Sequence, residues 1–320
     1  DLATCLSCGR CESVCPSQVQ FARLLGLARE ALHETFREPH LGRAMRMLAR
    51  RPTWLRRLLV AARALAPARS ADATRGGWRS LAAIARSIPQ TALDASPSRE
   101  VQRSAAAARG RVLLLPGCVG SALDADTHAA ATRVLAQLGY EVVLPAVPVC
   151  CGSLARQAGA RNEADSDAAG LQAAVRAAGA STVLSCASGC MGALRAVLAE
   201  LPGVGVHDIL SFIQRDADRL VARLRPLRQR LAVSVPCTQM AIDGGHSLFD
   251  LLGRIPGLSL VRVPEAPGCC GAGATQSWAD PATSSQLRGR RTAAILACDA
   301  DAVVSSNIGC RLQLQVGLQA

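Results

Sequence analysis

The tripeptide Cys150-Cys151-Gly152 returns as Cys269-Cys270-Gly271, and both occurrences stand in the same frame of cysteines. Cys118 precedes the first doublet by 32 positions, and Cys237 precedes the second doublet by the same number. A repeat of this length is too long for a solenoid unit and is typical of two copies of one small domain. The cysteines therefore belong to the part of the chain that was duplicated.

A fourth cysteine completes each frame. Cys190 follows the first doublet by 39 positions, and Cys310 follows the second by 40. Their flanks also match, because ASTVLSCASGC ends at Cys190 and ADAVVSSNIGC ends at Cys310. Each copy thus contains a cysteine quartet at equivalent positions.

Four thiolates that converge would form a complete site for an iron-sulfur cluster or for zinc, since sulfur is a soft ligand. Two disulfides per copy are the alternative. Disulfide scaffolds are small and loop-rich, however, whereas this chain has 320 residues of which 50% are hydrophobic. We therefore interpret the quartets as metal ligands.

Aliphatic segments with strand character alternate with helix-like segments in both copies. They are RVLLL, EVVL and STVLS in the first copy, and LAVSV, LSLVRV and AVVSS in the second. Apolar strands separated by helices predict parallel sheets covered on both faces, and hence an α/β fold. In such folds, sites form at the carboxyl ends of strands, which is where the cysteines fall.

The same pattern predicts the domain limits. We expect a partial ferredoxin-like module with a helical connector, a further connector or linker, and two cysteine-rich domains. These segments are residues 1–69, 70–110, 111–230 and 231–320.

Glycines adjoin the candidate ligands in both copies. A residue without a side chain lets the backbone approach a bulky cluster, and its N–H group can then donate to a sulfur. A simple tight turn would also explain any one of these glycines. The candidate cofactor-binding glycines are Gly117, Gly152, Gly189, Gly271 and Gly309.

The segment CLSCGRCESVCP contains Cys5, Cys8, Cys11 and Cys15 and ends at Pro16. This C-x2-C-x2-C-x3-C-P run is typical of bacterial ferredoxins, in which three cysteines hold one [4Fe-4S] cluster and the fourth binds a second cluster. A second run is absent and the sequence starts without Met, so we expect it to begin partway through a two-cluster module. One cluster held by all four cysteines and a zinc site are the alternatives.

The net charge of +12 comes entirely from Arg, since the sequence contains no Lys. Such a charge permits a nucleic acid, an anionic lipid or an acidic protein as partner. Three Trp, one Tyr and four Phe are too few for a base-stacking platform, and zinc-finger spacing is absent, so we expect no nucleic-acid partner. No apolar run reaches 18 residues, which leaves peripheral attachment as the open route to a membrane.

Arginine is concentrated between Arg37 and Arg69, where nine Arg accompany one acidic residue, Glu38. Prolines divide this stretch into short helices. The sequence leaves two interpretations open: a docking face for an acidic partner or a membrane, and an ordinary solvated helix face.

Together, the ferredoxin run, the helical connector and the two cysteine frames resemble the iron-sulfur subunit of glycolate oxidase (glycolate dehydrogenase). PCTQMA, CCGAGATQSW and SSNIGCRLQL are especially similar to the second cysteine-rich domain of that family. The duplicated domain is also similar to that of the C subunit of anaerobic glycerol-3-phosphate dehydrogenase, lactate-utilisation proteins and the B subunit of heterodisulfide reductase.

The resemblance implies an electron-transfer subunit of a 2-hydroxy-acid oxidoreductase, with no substrate site on this chain. Flavoprotein subunits carrying FAD would oxidise the hydroxy acid, and this chain would pass electrons through [4Fe-4S] clusters toward a membrane quinone. It implies a cytoplasmic protein that can lie peripherally on the inner face of the membrane. The alternative is an iron-sulfur subunit like those of heterodisulfide reductase or of glycerol-3-phosphate or lactate dehydrogenase.

Carried over by position, the resemblance assigns twelve metal ligands: Cys5, Cys8, Cys11, Cys15, Cys118, Cys150, Cys151, Cys190, Cys237, Cys269, Cys270 and Cys310. Cys186 and Cys298 lie outside the duplicated frame, and we expect buried structural thiols there. A weaker alternative is that Cys186 is a fifth ligand. The copies end in C-x3-C and in a lone cysteine, whereas the heterodisulfide reductase pattern ends in C-x2-C. This difference argues against non-cubane clusters and disulfide cleavage.

Overall fold

Two parallel sheets form the centre of the computed structural model, one in each copy of the repeat. The structure describes residues 5–13, 15–17, 19–32, 38, 40–65, 85–86, 88, 109–264 and 268–319. The strands are β1 Arg111–Leu115, β2 Glu141–Val143, β3 Thr182–Ser185, β4 Gly205–Asp208, β5 Arg230–Val233, β6 Ser259–Arg262 and β7 Ala302–Val304. The predicted α/β class with parallel sheets is confirmed.

Helices connect these strands and precede the first of them. The helices of the amino-terminal part are α1 Arg10–Ser13, α2 Phe21–Ala31, α3 His40–Ala49 and α4 Pro52–Leu65. Those of the first copy are α5 Cys118–Leu123, α6 Ala125–Gln137, α7 Ser153–Gln157, α8 Arg161–Ala178, α9 Met191–Leu198, α10 Ile209–Gln214 and α11 Asp218–Val221. Those of the second are α12 Cys237–Asp243, α13 His246–Gly253, α14 Gln276–Ala279, α15 Pro281–Leu296 and α16 Ile308–Leu318.

The two sheets share one strand order. In the first sheet the order is β2-β1-β3-β4, and in the second it is β6-β5-β7. The first strand of each copy is therefore central, with parallel partners on both sides. Each central strand leads to the first cysteine of its quartet, so the sheet edge at its carboxyl end carries the candidate site.

Apolar residues cover both faces of the first sheet, as a parallel sheet requires. One face packs against α6 and α10 through residues such as Leu135 and Phe212. The other face packs against α8 and α9 through Leu171 and Leu194, and Cys151 lies in this second core. The sheet thus separates the two apolar layers and leaves the sulfurs at its edge.

The connector helices α3 and α4 pack against the first copy. Leu55 and Leu59 of α4 form a buried cluster with Leu123 of α5. Ala49 of α3 lies in a cluster with Cys118 and Cys150. The connector therefore covers part of the candidate metal centre. Most of the predicted linker 70–110 lies outside the described residues, and the proposed domain limits stay predictions. No helix among the described residues has the length and apolarity needed to cross a membrane.

Candidate metal centre

The four cysteines of the first copy lie next to one another in space, each in contact with the next along the sequence. Cys118, the first residue of α5, is hydrogen-bonded to Cys150. Cys150 contacts Cys151 in the doublet, and Cys151 is hydrogen-bonded to Cys190 in turn. Residues separated by up to 72 positions in sequence thus bring their sulfurs together at one edge of the sheet.

The proton affinities of these thiols differ because they are buried and share hydrogen bonds. Hydrogen bonds from Cys118 and Cys151 lower the pKa of Cys150 to about 3. The same contact with Cys150, together with burial, raises the pKa of Cys118 well above its ordinary value. Contacts with Cys150 and Cys190, together with burial, raise the pKa of Cys151. The neighbouring thiols thus stabilise a thiolate at Cys150, the form in which sulfur binds metal.

The second copy also gathers its sulfurs. The Sγ atoms of Cys270 and Cys310 are 2.9 Å apart, and Cys270 is hydrogen-bonded to Cys269. Burial raises the pKa of Cys237 to about 11, with smaller contributions from Cys269 and from Cys8 of the ferredoxin run. Cys237 of the second quartet is therefore near a cysteine of the amino-terminal module as well as near Cys269.

Both doublets accept a hydrogen bond from the glycine that follows. Gly152 N donates to Cys150 Sγ at 3.4 Å, and Gly271 N donates to Cys269 Sγ at the same distance. Amide donors aimed at ligand sulfurs are among the features that set the potential of an iron-sulfur cluster. The two copies thus share this feature as well as their sulfurs.

Glycine is needed at these two positions because a helix crosses close behind each doublet. Gly152 and Gly271 have φ angles of 76° and 84°, which side chains rarely adopt. A Cβ on Gly271 would lie 2.4 Å from Ser284 O of α15, and one on Gly152 would lie 3.3 Å from Ala164 O of α8. These two glycines allow a following helix, rather than a cluster, to approach the backbone.

The other candidate glycines face different neighbours. A Cβ on Gly117 would lie 3.8 Å from Cys190 Sγ. On Gly189 and Gly309 it would meet the side chain of Asn307, at 2.7 Å and 3.2 Å. Gly117 is thus the candidate glycine at which a side chain would meet the sulfur of a candidate ligand.

A cavity of about 290 Å³ connects the quartets. Its lining includes Cys8 of the ferredoxin run and cysteines of both copies: Cys118, Cys151, Cys190, Cys237, Cys269, Cys270 and Cys310. Within the described ranges, no group of three or more His, Cys, Asp or Glu side chains could hold a single metal ion. The sulfurs instead border a space, and a donor set made of thiols is of the kind that binds an iron-sulfur cluster.

The ferredoxin run is docked on the first copy by a buried arginine. Arg29 of α2 donates to Cys5 O at 2.8 Å, to Ser7 Oγ at 3.3 Å and to Gln157 O at 2.9 Å. Burial lowers the pKa of Arg29. Cys11 is exposed, and Cys5, Cys8 and Cys15 are half-buried. In the part of the chain that the structure describes, these four sulfurs make no hydrogen bond with one another.

Sequence reasoning missed a polar junction between the copies. Asn307 Nδ2 lies 3.4 Å from both Ser188 Oγ and Thr238 Oγ1, which are themselves 2.7 Å apart. Asn307 also caps the amino-terminal end of α16, since its Oδ1 accepts hydrogen bonds from Gly309 N and Cys310 N. An Asn before a helix is a recognisable capping signal, but its partner in the other copy, Ser188, was not predictable.

The two cysteines outside the frame lie away from these contacts, Cys298 buried and Cys186 partly buried. Cys186 packs against the core on the α6 side of the first sheet, and burial raises its pKa. Cys298 lies in the core of the second copy and donates to Ala294 O at 3.3 Å. Both positions fit the expected structural thiols.

Comparison with known proteins identifies the repeat. A family model described as a cysteine-rich domain, CCG, matches residues 112–195 and again residues 232–315. The two matches cover both quartets and most of the three strands that each sheet has in common with the other, whereas β4 lies outside them.

Similar proteins extend this finding to nearly the full chain. The glycolate oxidase iron-sulfur subunit of Escherichia coli (strain K12) is 29% identical over 98% of this chain and 77% of its own length. The probable glycolate oxidase iron-sulfur subunit of Bacillus subtilis (strain 168) is 25% identical over 99% of this chain and 78% of its own. Lactate utilization protein A of Geobacillus kaustophilus (strain HTA426) is 26% identical over 64% of this chain and 90% of its own.

Proposed function

Since the chain belongs to the cysteine-rich domain family, we propose that it is the iron-sulfur electron-transfer subunit of a glycolate oxidase or related 2-hydroxy-acid oxidoreductase. The observation that carries the proposal is the convergence of cysteines from both duplicated quartets on one shared cavity. Iron-sulfur clusters, when bound, accept and release single electrons. The chain's own residues hold the clusters and set their surroundings.

The ligands proposed for these clusters are the cysteines of the two quartets and of the ferredoxin run. Amide groups of Gly152 and Gly271 donate to ligand sulfurs, and a hydrogen bond of this kind favours the more negative, reduced state. Apolar residues such as Leu55, Leu59 and Trp278 also line the cavity and give the sulfurs a partly apolar environment. These are two of the means by which a protein sets a cluster potential.

The position of Cys8 supports an order for the relay. Cys8 lies close enough to Cys237 to raise its pKa, and both residues line the shared cavity. A cluster at the amino-terminal run would therefore lie next to the second cysteine-rich domain. We place this domain directly beside the amino-terminal cluster in the path of the electrons.

The remaining components of the reaction belong to other chains. Flavoprotein subunits with FAD would oxidise glycolate or another 2-hydroxy acid and reduce this subunit, and a quinone in the cytoplasmic membrane would take up the electrons. The proposal includes a peripheral position for this chain on the inner face of that membrane.

Electron paramagnetic resonance tests the proposal on anaerobically purified protein reduced with dithionite. We expect iron-sulfur signals, together with iron and acid-labile sulfide in matching amounts. Stoichiometric zinc with no iron would refute the proposal.

A second function, direct chemistry on a disulfide, is favoured by one observation. Cysteines of both quartets line a single cavity. This function requires disulfide reductase activity by the chain alone, lost on Cys151→Ala or Cys270→Ala. Absence of such activity in cluster-loaded protein would leave the electron-transfer function.

A further inference from the structure

We propose that the solvent-facing side of helices α3 and α4 binds an anionic lipid surface. This basic-aromatic face consists of Arg43, Met47, Arg51, Trp54, Arg57 and Val60. The proposal rests on the proposed function in one respect only, the delivery of electrons to a membrane acceptor. Binding to lipid is itself independent of the clusters and can be tested separately.

The structure divides the arginines of the connector into two groups. Arg46 is buried and pairs with Glu38 and Glu163, and Arg50 pairs with Glu163 at 3.0 Å. Arg63 donates to Ile88 O at 2.6 Å. These arginines hold the connector to the rest of the chain, and they are not available to a partner.

The second group points to solvent. Arg43, Arg51 and Arg57 are exposed, and none of them forms an ion pair with any described residue. Residues 40–65 contain no Asp or Glu, so the charge of this face is uniformly positive. An uncompensated positive face on a folded helix pair is complementary to anionic headgroups.

Apolar side chains are interleaved with these arginines. Trp54 is 58% exposed, Met47 is 50% exposed and Val60 is 41% exposed. The guanidinium of Arg57 lies over the Trp54 ring, 5.5 Å from its centroid. Trp with neighbouring Arg is typical of helices that lie in the plane of a membrane interface, where the ring enters the headgroup region and the guanidinium binds phosphate. An acidic protein would satisfy the arginines but would leave these apolar groups unexplained.

The opposite side of the same helices borders the candidate metal centre. Met45, Ala49, Leu55 and Leu59 line the cavity that contains the thiols. A helix with its side chains is about 10 Å across. Lipid bound to the basic-aromatic face would therefore lie about one helix diameter from the sulfurs, within the reach of a quinone at the membrane surface.

Flotation with vesicles tests the proposal on the purified, cluster-loaded chain. The vesicles contain phosphatidylcholine alone or with 30 mol% phosphatidylglycerol, a composition of about one anionic lipid in three. We expect binding to the anionic vesicles that weakens with added salt. The variant Arg43→Gln/Arg51→Gln/Arg57→Gln should bind about 100-fold more weakly, since each Arg near an anionic surface contributes about fivefold.

A matched control removes the same charge elsewhere. Arg223, Arg225 and Arg228 are exposed and lie beside the exposed apolar residues Val221 and Leu227. The variant Arg223→Gln/Arg225→Gln/Arg228→Gln should keep more than half of the binding. As a second measurement, brominated phosphatidylglycerol should quench Trp fluorescence in the wild type and quench it much less in Trp54→Phe.

Equal losses in the two triple variants would overturn the proposal, because the binding would then depend on net charge alone. So would a failure of the wild type to bind anionic vesicles, whether or not the same face binds a protein. Iron-sulfur signals are recorded on the same samples. If they persist without vesicle binding, the surface assignment fails and the electron-transfer function stands.

Discussion

Arg50 of the connector and Asp167 of helix α8 form an ion pair of 2.7 Å. Burial, together with nearby Cys150, raises the pKa of the Asp167 carboxyl to about 6, although Arg50 acts against this shift. Arg50 therefore offsets part of the cost of a carboxylate next to a candidate ligand. The pair also fixes the connector to the first cysteine-rich domain at the place where sulfurs gather.

We expect Arg50→Met to lower the free energy of unfolding at pH 7 by about 1–3 kcal/mol, because it leaves Asp167 and Glu163 without this cation. Arg43→Met is the matched control on the same helix, and as an exposed position it should change stability by less than about 0.5 kcal/mol. Urea unfolding measures both variants. Equal effects would show that the pair contributes nothing specific.

Gly271 gives a second prediction, since a Cβ there would lie 2.4 Å from Ser284 O. Gly271→Ala must displace α15 or the doublet, and we expect a loss of about 2 kcal/mol or more. Iron bound to the second copy should fall with it. Gly152→Ala should have a milder effect on the first copy, because its closest approach is 3.3 Å.

Gly289, in the same helix α15, has open space where the methyl group of an alanine would lie. Gly289→Ala should therefore be neutral or stabilising by up to about 1 kcal/mol. Iron analysis and thermal unfolding of the three glycine variants check whether the loss is largest for Gly271→Ala, smaller for Gly152→Ala and absent for Gly289→Ala. A Gly271→Ala protein with full iron content would contradict it.

Asn307 gives a third prediction, because its two side-chain atoms have separate tasks. Asn307→Asp keeps the oxygen that caps α16 but loses the donor to Ser188 and Thr238. These partners lie next to candidate ligands of both copies, Cys190 and Cys237. We therefore expect Asn307→Asp to change the resonance line shapes or midpoint potentials of both cysteine-rich domains, although the residue belongs to one.

A different helix cap separates this role from stability alone. Asp280 caps α15 through Thr283 N at 3.1 Å. Asp280→Ala should cost about 1 kcal/mol of stability and leave the cluster signals unchanged. If both variants shift only stability, Asn307 does not connect the two sites.

The repeat made the sheets predictable but not the contact between them. Apolar strands at equal intervals predicted parallel sheets, and the strand orders β2-β1-β3 and β6-β5-β7 confirm this fold. The duplicated frame also pointed to the sulfurs that meet. Asn307 could not be connected to Ser188, because that contact depends on how two separate domains pack, and no local pattern encodes this orientation.

The arginines of the connector also show what the sequence predicts and what depends on packing. Composition predicted a basic helical segment but left a docking face and a solvated face equally open. Arg46 and Arg50 instead form ion pairs with Glu163 on helix α8. Their partner is more than 100 positions away in the sequence, so charge density alone could not distinguish these residues from Arg43 or Arg57.

His128 predicts a pH dependence of stability. It is buried against Gly120, near the Asp124–Arg311 ion pair, and burial lowers its pKa, with Arg311 adding to the shift and Asp124 opposing it. The folded state thus binds a proton less readily than the unfolded state, and stability must fall as the pH drops below about 6.5. The slope for one proton is at most about 1.4 kcal/mol per pH unit.

His128→Gln removes this titration while keeping a polar side chain. As the pH drops from 7.5 to 5.5, the wild type should therefore lose more unfolding free energy than the variant. Taking the difference removes contributions that the two proteins share. Parallel pH profiles would show that His128 is not the titrating group.

Cys186 and Cys190 give a test of the ligand assignment, because they are four residues apart but face different surroundings. Cys190 contacts Cys151 within the quartet, whereas Cys186 packs against the core on the α6 side of the sheet. We expect Cys190→Ser to lose the iron of the first cysteine-rich domain, because a hydroxyl is a poor substitute for a thiolate. Cys186→Ser should keep that iron and lose about 1 kcal/mol of stability, because it places a hydroxyl in an apolar position. Iron and sulfide analysis of both variants decides the matter, and loss of iron from Cys186→Ser would make Cys186 a ligand.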